Sequence, residues 1–271
     1  MAAPADRDAP AEADGDGGRL LAAEPAPGVA LLTISNPAKR GALDAPLLEA
    51  LVSALAALDA RCVVLTGEGR SFCAGYDIGA LTAEGYDDSD GHPLQAALDA
   101  VESYPYPVLA ALNGYAIGGG LELAVACDLR IAAAGIQLGM PPAKLGVVYN
   151  HGGINRFVGA IGTARTRELF LTGRRIDAAT AERWGLVNEV VAPDALADAA
   201  LALAREIAAN APLSLRGNKA AIGAVARAAG ALAPETAAAL DAERRAAFLS
   251  EDLREGLAAF AERRPPIWRG R

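Results

Sequence analysis

The chain has 271 residues, of which 52% are apolar, and a net charge of −8 at pH 7. This length and composition can bury a sizeable core in one large or two small domains. Because the basic residues are scattered among a larger number of acids, a nucleic-acid-binding surface is excluded, and small molecules or further copies of the chain are the expected partners. No apolar run approaches the roughly 18 residues of a membrane span, and no signal-peptide pattern is present, so a cytoplasmic protein is predicted.

The first half of the chain alternates strand and helix patterns. Residues 1–18 are small, polar or acidic and predict a disordered tail. A β-rich run at 29–34 precedes leucines at helical spacing over 47–58, and a short buried strand is expected at 62–66. A polar, Gly- and Asp-rich stretch at 82–92 predicts a mobile loop over a site, followed by a helix at 94–101. A buried run at 107–112, a helix at 119–126 and a strand at 128–132 complete an α/β pattern.

Helical patterns dominate the second half. They cover 164–171, 178–184, 196–209, 213–229, 234–248 and 251–262, with a brief strand at 187–191. Their Ala and Leu stripes are typical of core or subunit contacts. The predicted organisation is therefore a tail at 1–18, a core domain at 19–195 and a helical region at 196–271.

A triple glycine, Gly118 to Gly120, separates the apolar run from the helix at 119–126. Without Cβ atoms, backbone can approach a ligand closely, and the helix N-terminus directs N–H groups and a positive dipole at that point, so an oxyanion is favoured there. A tight turn or close helix packing explains the glycines equally well. Glu122 shares a helix face with Gly119, which suits either a first-turn glutamate favoured by the dipole or a catalytic acid or base.

Several motifs occur in one order along the chain and together resemble the crotonase (enoyl-CoA hydratase/isomerase) superfamily. They are Asn36-Pro-Ala-Lys-Arg40, Val63-Val-Leu-Thr-Gly67, Ser71-Phe-Cys-Ala-Gly75, Asn113-Gly114 with Gly118 to Gly120, Ala126-Cys-Asp-Leu-Arg-Ile131, Trp184-Gly-Leu-Val187 and Glu255-Gly-Leu-Ala-Ala-Phe260. The resemblance implies an α/β fold with a ββα spiral core and a helical C-terminal region that builds trimers or dimers of trimers. It also implies an acyl-CoA thioester as substrate, with CoA part of that substrate and no separate cofactor.

The same resemblance implies roles for individual residues. The backbone N–H groups of Tyr76 and Gly119 would hold the thioester oxygen as it becomes enolate-like, and Glu122 would be a proton-transfer residue. The Tyr76 ring is interpreted as a pocket wall rather than a functional side chain, and Asp77 as a helix cap or turn residue rather than a catalyst. CoA-binding positions implied by the family motifs are Lys39, Arg40, Ala74, Tyr76, Asp77 and Ile78.

One departure from the hydratases bears on the reaction. Their second glutamate falls at Pro142, which cannot transfer a proton. The segment from Lys144 to Asn150 instead resembles the methylmalonyl-CoA decarboxylase branch, which implies a functional tyrosine at Tyr149, although that branch has a histidine where this chain has Tyr76. A lyase that decarboxylates a short malonyl-type CoA is therefore preferred. Hydration or isomerisation of an enoyl-CoA, and a non-catalytic CoA-binding or structural role, are the alternatives.

Other reactive side chains give weaker signals. His151 is expected in a glycine-rich loop, as a solvent-facing residue or a proton shuttle. Cys73 is interpreted as a small buried residue, since no nucleophile-base-acid pattern accompanies it. The three cysteines and two histidines have no zinc-like spacing, so reduced thiols and no metal site are predicted.

Overall fold

The computed structural model describes residues 17–77 and 92–271. The predicted tail, up to residue 16, and residues 82–91 of the predicted loop lie outside the described residues. His92, the last residue of that predicted loop, caps a helix, because its Nδ1 accepts a hydrogen bond of 3.2 Å from the Leu94 N–H. The described residues form two sheets flanked by helices.

The strands are β1 (Arg19–Ala26), β2 (Val29–Ser35), β3 (Cys62–Gly67), β4 (Ser71–Cys73), β5 (Val108–Leu112), β6 (Tyr115–Ile117), β7 (Leu129–Ala133), β8 (Gln137–Gly139), β9 (Arg175–Asp177) and β10 (Glu189–Val191). The first sheet has the strand order β1-β2-β3-β5-β7-β10 and the second β4-β6-β8-β9. The helices are α1 (Ala45–Ala57), α2 (Pro93–Ser103), α3 (Gly119–Ala126), α4 (His151–Thr172), α5 (Ala178–Trp184), α6 (Leu196–Ala209), α7 (Pro212–Ala229), α8 (Pro234–Leu249) and α9 (Glu251–Glu262).

From β3 to β8, consecutive strands alternate between the two sheets. β3 of the first sheet leads to β4 of the second, β5 leads to β6 and then α3, and β7 leads to β8 and then α4. Within the described part of the first sheet, β1 alone pairs antiparallel, with β2, while β2, β3, β5, β7 and β10 pair in parallel in that order. This repeat confirms the predicted α/β spiral of ββα turns, and its strands and helices contribute about equally to the buried core.

Glycines make the corners between the sheets. A Cβ on Gly67 would lie 2.2 Å from the Ser71 carbonyl oxygen, and one on Gly114 would lie 2.1 Å from that of Arg70. Asn113 fastens the same corner, because its side chain donates to the Gly69 carbonyl at 3.0 Å and accepts from the Gly67 N–H at 3.1 Å. The Asn-Gly pair is therefore required where the chain turns from β5 into β6.

Sequence patterns missed the short and irregular elements. The three-residue strands β4, β6, β8 and β9 are too short to show a period of two, and β1 is mostly exposed. The expectation of a loop at His151 is wrong, because α4 begins there. Asn150 starts that helix by accepting a hydrogen bond from the Gly153 N–H at 2.5 Å, and Gly162, at φ 74° and ψ 165°, kinks it just before the predicted start.

The C-terminal helices differ in how they contact the sheets. Ala200 and Ala204 of α6 are buried in the core, whereas neither α7 nor α8 buries a residue. The Lys219 ammonium anchors α7, since it donates to the Tyr106 carbonyl at 3.0 Å and lies 2.8 Å from the Asp128 carboxylate. None of the helices in the described part of the chain is long and apolar enough to cross a bilayer.

Candidate active site

Two residues of the triple glycine are needed for different reasons, Gly118 for its backbone conformation and Gly120 for close packing. Gly118 has φ 55° and ψ −125°, a backbone that L side chains rarely adopt, and its N–H donates to the Gly139 carbonyl at 2.9 Å. Gly120 lies against Cys73, where an added Cβ would be 2.5 Å from the carbonyl oxygen and 2.6 Å from Sγ. Burial raises the pKa of the Cys73 thiol to about 12, so it stays protonated and inert, in line with a packing role.

The structure brings the backbones of Tyr76 and Gly119 together. A Cβ on Gly119 would lie 3.3 Å from the Tyr76 nitrogen, and one on Gly75 would lie 3.7 Å from the Gly119 nitrogen. Leu43 bonds on one side of this segment, to the Gly75 carbonyl and the Asp77 N–H, each at 2.8 Å. In such a parallel bridge the N–H of the intervening residue, Tyr76, points away from Leu43. Two N–H-bearing positions therefore converge at the start of α3.

The residues predicted to bind CoA lie side by side. The Ala74 N–H donates to the Arg40 carbonyl at 3.2 Å, and the Lys39 ammonium lies 2.6 Å from the Asp77 carboxylate. Arg40 adopts the left-handed conformation, with φ 57° and ψ 42°, as it ends a short 3-10 turn. The loop that carries Lys39 is thus fastened to the segment that carries Tyr76. Ile78 lies outside the described residues.

Glu122 is buried on the first turn of α3. Arg156 Nη1 donates to its Oε1 at 3.1 Å, from a helix that is distant in sequence. Burial raises the pKa of the Glu122 carboxyl to about 7, although the charge and hydrogen bond of Arg156 oppose that rise. A carboxyl group with such a pKa exchanges protons near neutral pH, which suits a general acid or base.

Tyr149 precedes α4 and directs its hydroxyl at the same glycines. That oxygen would lie 3.8 Å from a Cβ on Gly118, and the ring packs edge-on against Phe170 with centroids 5.4 Å apart. Burial and then the charge of Glu122 raise the Tyr149 pKa well above its usual value, so the phenol keeps its proton. Tyr149, Glu122 and the start of α3 thus surround one small volume.

Arg156 was missed by the sequence interpretation. It sits one turn into α4, and its Nε also donates to Glu102 of α2 at 2.6 Å. Nothing in the local pattern pairs a residue of α4 with a glutamate on α3, since their sequence separation is 34 residues. A buried glutamate does call for a cation nearby, but the sequence does not say which one.

Pro142 and His151, which the sequence also singled out, contact other parts of the chain. Pro142 is buried at the start of a 3-10 turn, where its carbonyl accepts from the N–H groups of Leu145 and Val147, both at 3.0 Å. His151 faces α8, with Nδ1 3.7 Å from the Asp241 carboxylate. Within residues 17–77 and 92–271, no group of three or more His, Cys, Asp or Glu side chains is arranged to hold a metal ion.

The sequence profile of the enoyl-CoA hydratase/isomerase family matches residues 24–271. The chain belongs to this family. Members of this family act on acyl-CoA thioesters. The site formed by the backbone N–H groups, Glu122 and Tyr149 therefore belongs to an enzyme of the acyl-CoA class.

Individual relatives in this family carry different reactions in their names. A Rhizobium meliloti protein named "Probable enoyl-CoA hydratase" is 40% identical over 245 residues, which cover 87% of this chain and 92% of that protein. The carnitinyl-CoA dehydratase of Citrobacter koseri is 39% identical over 219 residues, which cover 78% of this chain and 82% of that protein. The structure of methylmalonyl-CoA decarboxylase with 2-nitronate-propionyl-CoA superposes with a TM-score of 0.86 at 30% identity, covering 94% of this chain and 98% of that one.

Proposed function

We propose that this family member is an acyl-CoA lyase that decarboxylates a short malonyl-type CoA thioester. One observation carries the preference over hydration. Among the residues that the structure describes, Glu122 is the one acidic residue that is buried, and its neighbour across the glycines is the phenol of Tyr149. Two carboxylates that grip one water, as in the hydratases, are not supplied by this arrangement. The likeness to methylmalonyl-CoA decarboxylase supports the same choice.

In the proposed reaction the bond between the substrate α-carbon and its carboxylate carbon breaks. Carbon dioxide leaves, and the electron pair moves through the α-carbon onto the thioester oxygen to form an enolate. The N–H groups of Tyr76 and Gly119 donate to that oxygen, and a single donor of this kind is worth about 3 kcal/mol in other enzymes. A proton then adds to the α-carbon and completes the acyl-CoA product.

The two side chains divide the remaining work in this proposal. Tyr149, whose phenol keeps its proton because burial and the charge of Glu122 raise its pKa, donates a hydrogen bond that orients the substrate carboxylate. Glu122, with its pKa near 7, supplies the proton to the α-carbon from its protonated form. A negatively charged substrate carboxylate beside Glu122 favours that protonated form further. Lys39, Arg40, Ala74 and Asp77 are proposed to contact CoA.

Isomerisation or hydration of an enoyl-CoA is the second candidate. The relatives named as hydratase and dehydratase, at 40% and 39% identity, favour it. An isomerase can use Glu122 alone as a base, which requires its ionised form. The two candidates therefore predict opposite pH profiles: decarboxylation is lost as pH rises through about 7, whereas isomerisation is lost as pH falls through that value.

Product masses distinguish these reactions directly. The protein is incubated with malonyl-CoA, methylmalonyl-CoA, crotonyl-CoA and longer enoyl-CoAs, with Glu122→Gln and Tyr149→Phe as parallel variants. Loss of carbon dioxide from a malonyl-type substrate, abolished in the variants, is expected. Addition of water to enoyl substrates without decarboxylation contradicts the preferred reaction, and a rearranged product of unchanged mass indicates isomerisation. No turnover of any substrate supports the non-catalytic alternative.

We also propose assembly into trimers or dimers of trimers. Large apolar side chains on α7 are strongly exposed in the single chain: Leu213 by 81%, Ile222 by 70% and Val225 by 71%. Exposed apolar groups on one helix are typical of a subunit contact. Light scattering gives the mass in solution, and a monomer at micromolar concentration would contradict this assembly.

A further inference from the structure

A chain of contacts extends from Glu122 to the outer helix α2. Arg156 lies between two carboxylates: its Nη1 donates to Glu122 at 3.1 Å, while its Nε donates to Glu102 at 2.6 Å and its Nη2 to the other Glu102 oxygen at 3.4 Å. Such a two-point contact orients the planar guanidinium more strictly than the single contact to Glu122 does. Glu102 is therefore the main anchor of Arg156.

We propose that Glu102 is a positioning residue of the active site, which holds the Arg156 guanidinium and shares its charge, and thereby sets how strongly that guanidinium stabilises the Glu122 carboxylate. This inference rests on the proposed function in one respect, that Glu122 exchanges a proton during turnover. The coupling among the three residues is a separate claim about the protein without substrate. Nothing in the sequence motifs points to Glu102.

Burial and charge set the direction of the coupling. The Arg156 side chain is 11% exposed and that of Glu122 only 3%, so their interaction is weakly screened by water. Glu102, at 32% exposure, partly neutralises the same cation. Burial lowers the Arg156 pKa, but the hydrogen bond and charge of Glu102, followed by the charge of Glu122, raise it overall. Glu122 thus faces a cation whose charge is shared.

Among the described residues, the charged and titratable groups around this cluster come from three helices and one adjoining segment. They are Asp99 and Glu102 of α2, Glu122 of α3, Arg156 of α4, and Tyr149 just before α4. Asp99 lies 3.7 Å from Arg156 Nη2 but is 63% exposed, so water screens it. It offers a matched control on the same helix, against the same guanidinium.

Isosteric variants separate charge from shape. Glu102→Gln keeps the size and a hydrogen-bond acceptor but removes the shared negative charge, so Arg156 acts on Glu122 with its full charge and the Glu122 titration moves down by about half to one pH unit. Arg156→Gln removes the cation and moves the same titration up by about one to three units. Asp99→Asn shifts it by less than about 0.3 unit. Glu102→Asp, which restores the charge, returns the midpoint toward that of the parent.

The titration can be read without any substrate. Infrared difference spectra across neutral pH follow the protonated carboxyl band of Glu122, which is assigned by its absence in Glu122→Gln. Opposite shifts in Glu102→Gln and Arg156→Gln are expected, because a purely structural role for Glu102 would leave the isosteric variant unshifted. An unchanged midpoint in a folded Glu102→Gln protein overturns the inference, whatever the reaction is.

Kinetics then test the proposed function separately. If Glu122 exchanges the proton in turnover, the pH midpoint of kcat/KM moves by the same amount and in the same direction as the infrared midpoint in Glu102→Gln. An infrared shift without a kinetic shift supports the coupling and contradicts the role given to Glu122. The two failures are therefore distinguishable.

Discussion

Gly153 offers a sharp test of how Glu122 is held. It lies on the first turn of α4, and an added Cβ would be 2.6 Å from Glu122 Oε1, 3.2 Å from Asn150 Oδ1 and 3.3 Å from Tyr149 Cδ1. Gly153→Ala therefore places a methyl group against the carboxylate itself. The neighbouring Gly152 is a matched control, since a Cβ there meets its nearest atom only at 3.5 Å.

The magnitude follows from these distances. Because real Cβ contacts are essentially never under 3.0 Å, the Glu122 oxygen must move by at least 0.4 Å from its 2.6 Å position. Its hydrogen bond with Arg156 then weakens, and complete loss of a bond to a charged group costs about 1.5–3 kcal/mol. Alanine favours the helix over glycine by about 1 kcal/mol, which offsets part of that cost. Because a 1 Å misplacement of a catalytic group lowers turnover about 100-fold, a shift of 0.4 Å or more should lower kcat by about sixfold at least.

The assay compares Gly153→Ala with Gly152→Ala in one set of conditions. Turnover of the substrate identified by product mass is measured together with thermal unfolding. A large loss of kcat with a small change in Tm is expected for Gly153→Ala, and neither for Gly152→Ala. Parent-like kcat in Gly153→Ala would refute the reasoning, because the carboxylate could then move without consequence.

Three further changes test other parts of the structure. Burial raises the folded-state pKa of Glu122 from 4.5 to about 7, so its contribution to stability is present below pH 4.5 and is lost as pH rises through 7. Relative to the parent, Glu122→Gln should therefore gain stability between about pH 5 and pH 8. Urea unfolding measures this gain. Gly120→Ala should cost about 1–3 kcal/mol, because its Cβ would lie 2.5 Å from the rigid Cys73 carbonyl. Lys219→Met should cost about 1–3 kcal/mol, because the Asp128 carboxylate, 2.8 Å from the ammonium, loses its cation.

Each of the last two changes has a control, a helical residue of similar type that lacks the contact under test. Gly159→Ala fills open space on α4, where no atom lies within 4 Å of the added Cβ, so it should leave the free energy of unfolding unchanged or raise it. Arg216→Met removes an exposed cation from α7 and should have little effect. Equal losses in the test and control variants would contradict the contacts described for Gly120 and Lys219.

Much of the fold was predictable because the signals for it are local. Apolar runs for β2, β3 and β5 and helical spacing in α1 and α2 are visible over single elements. The short strands of the second sheet were not predictable, since three residues carry no period and their pairing partners are distant in sequence. The start of α4 was missed because two glycines follow His151, and the reason for one of them, the close approach of Gly153 to Glu122, depends on a contact distant in sequence.

The sequence by itself predicted where an oxyanion would be held, at the triple glycine. The spacing of Gly119 and Glu122 and the identity of Pro142 and Tyr149 are local facts that need no coordinates. Only the tertiary structure decided the electrostatic state of Glu122, because burial and an arginine 34 residues away on another helix set it. Helix periodicity determines which face a side chain occupies, but the neighbour of that face depends on how separate helices pack.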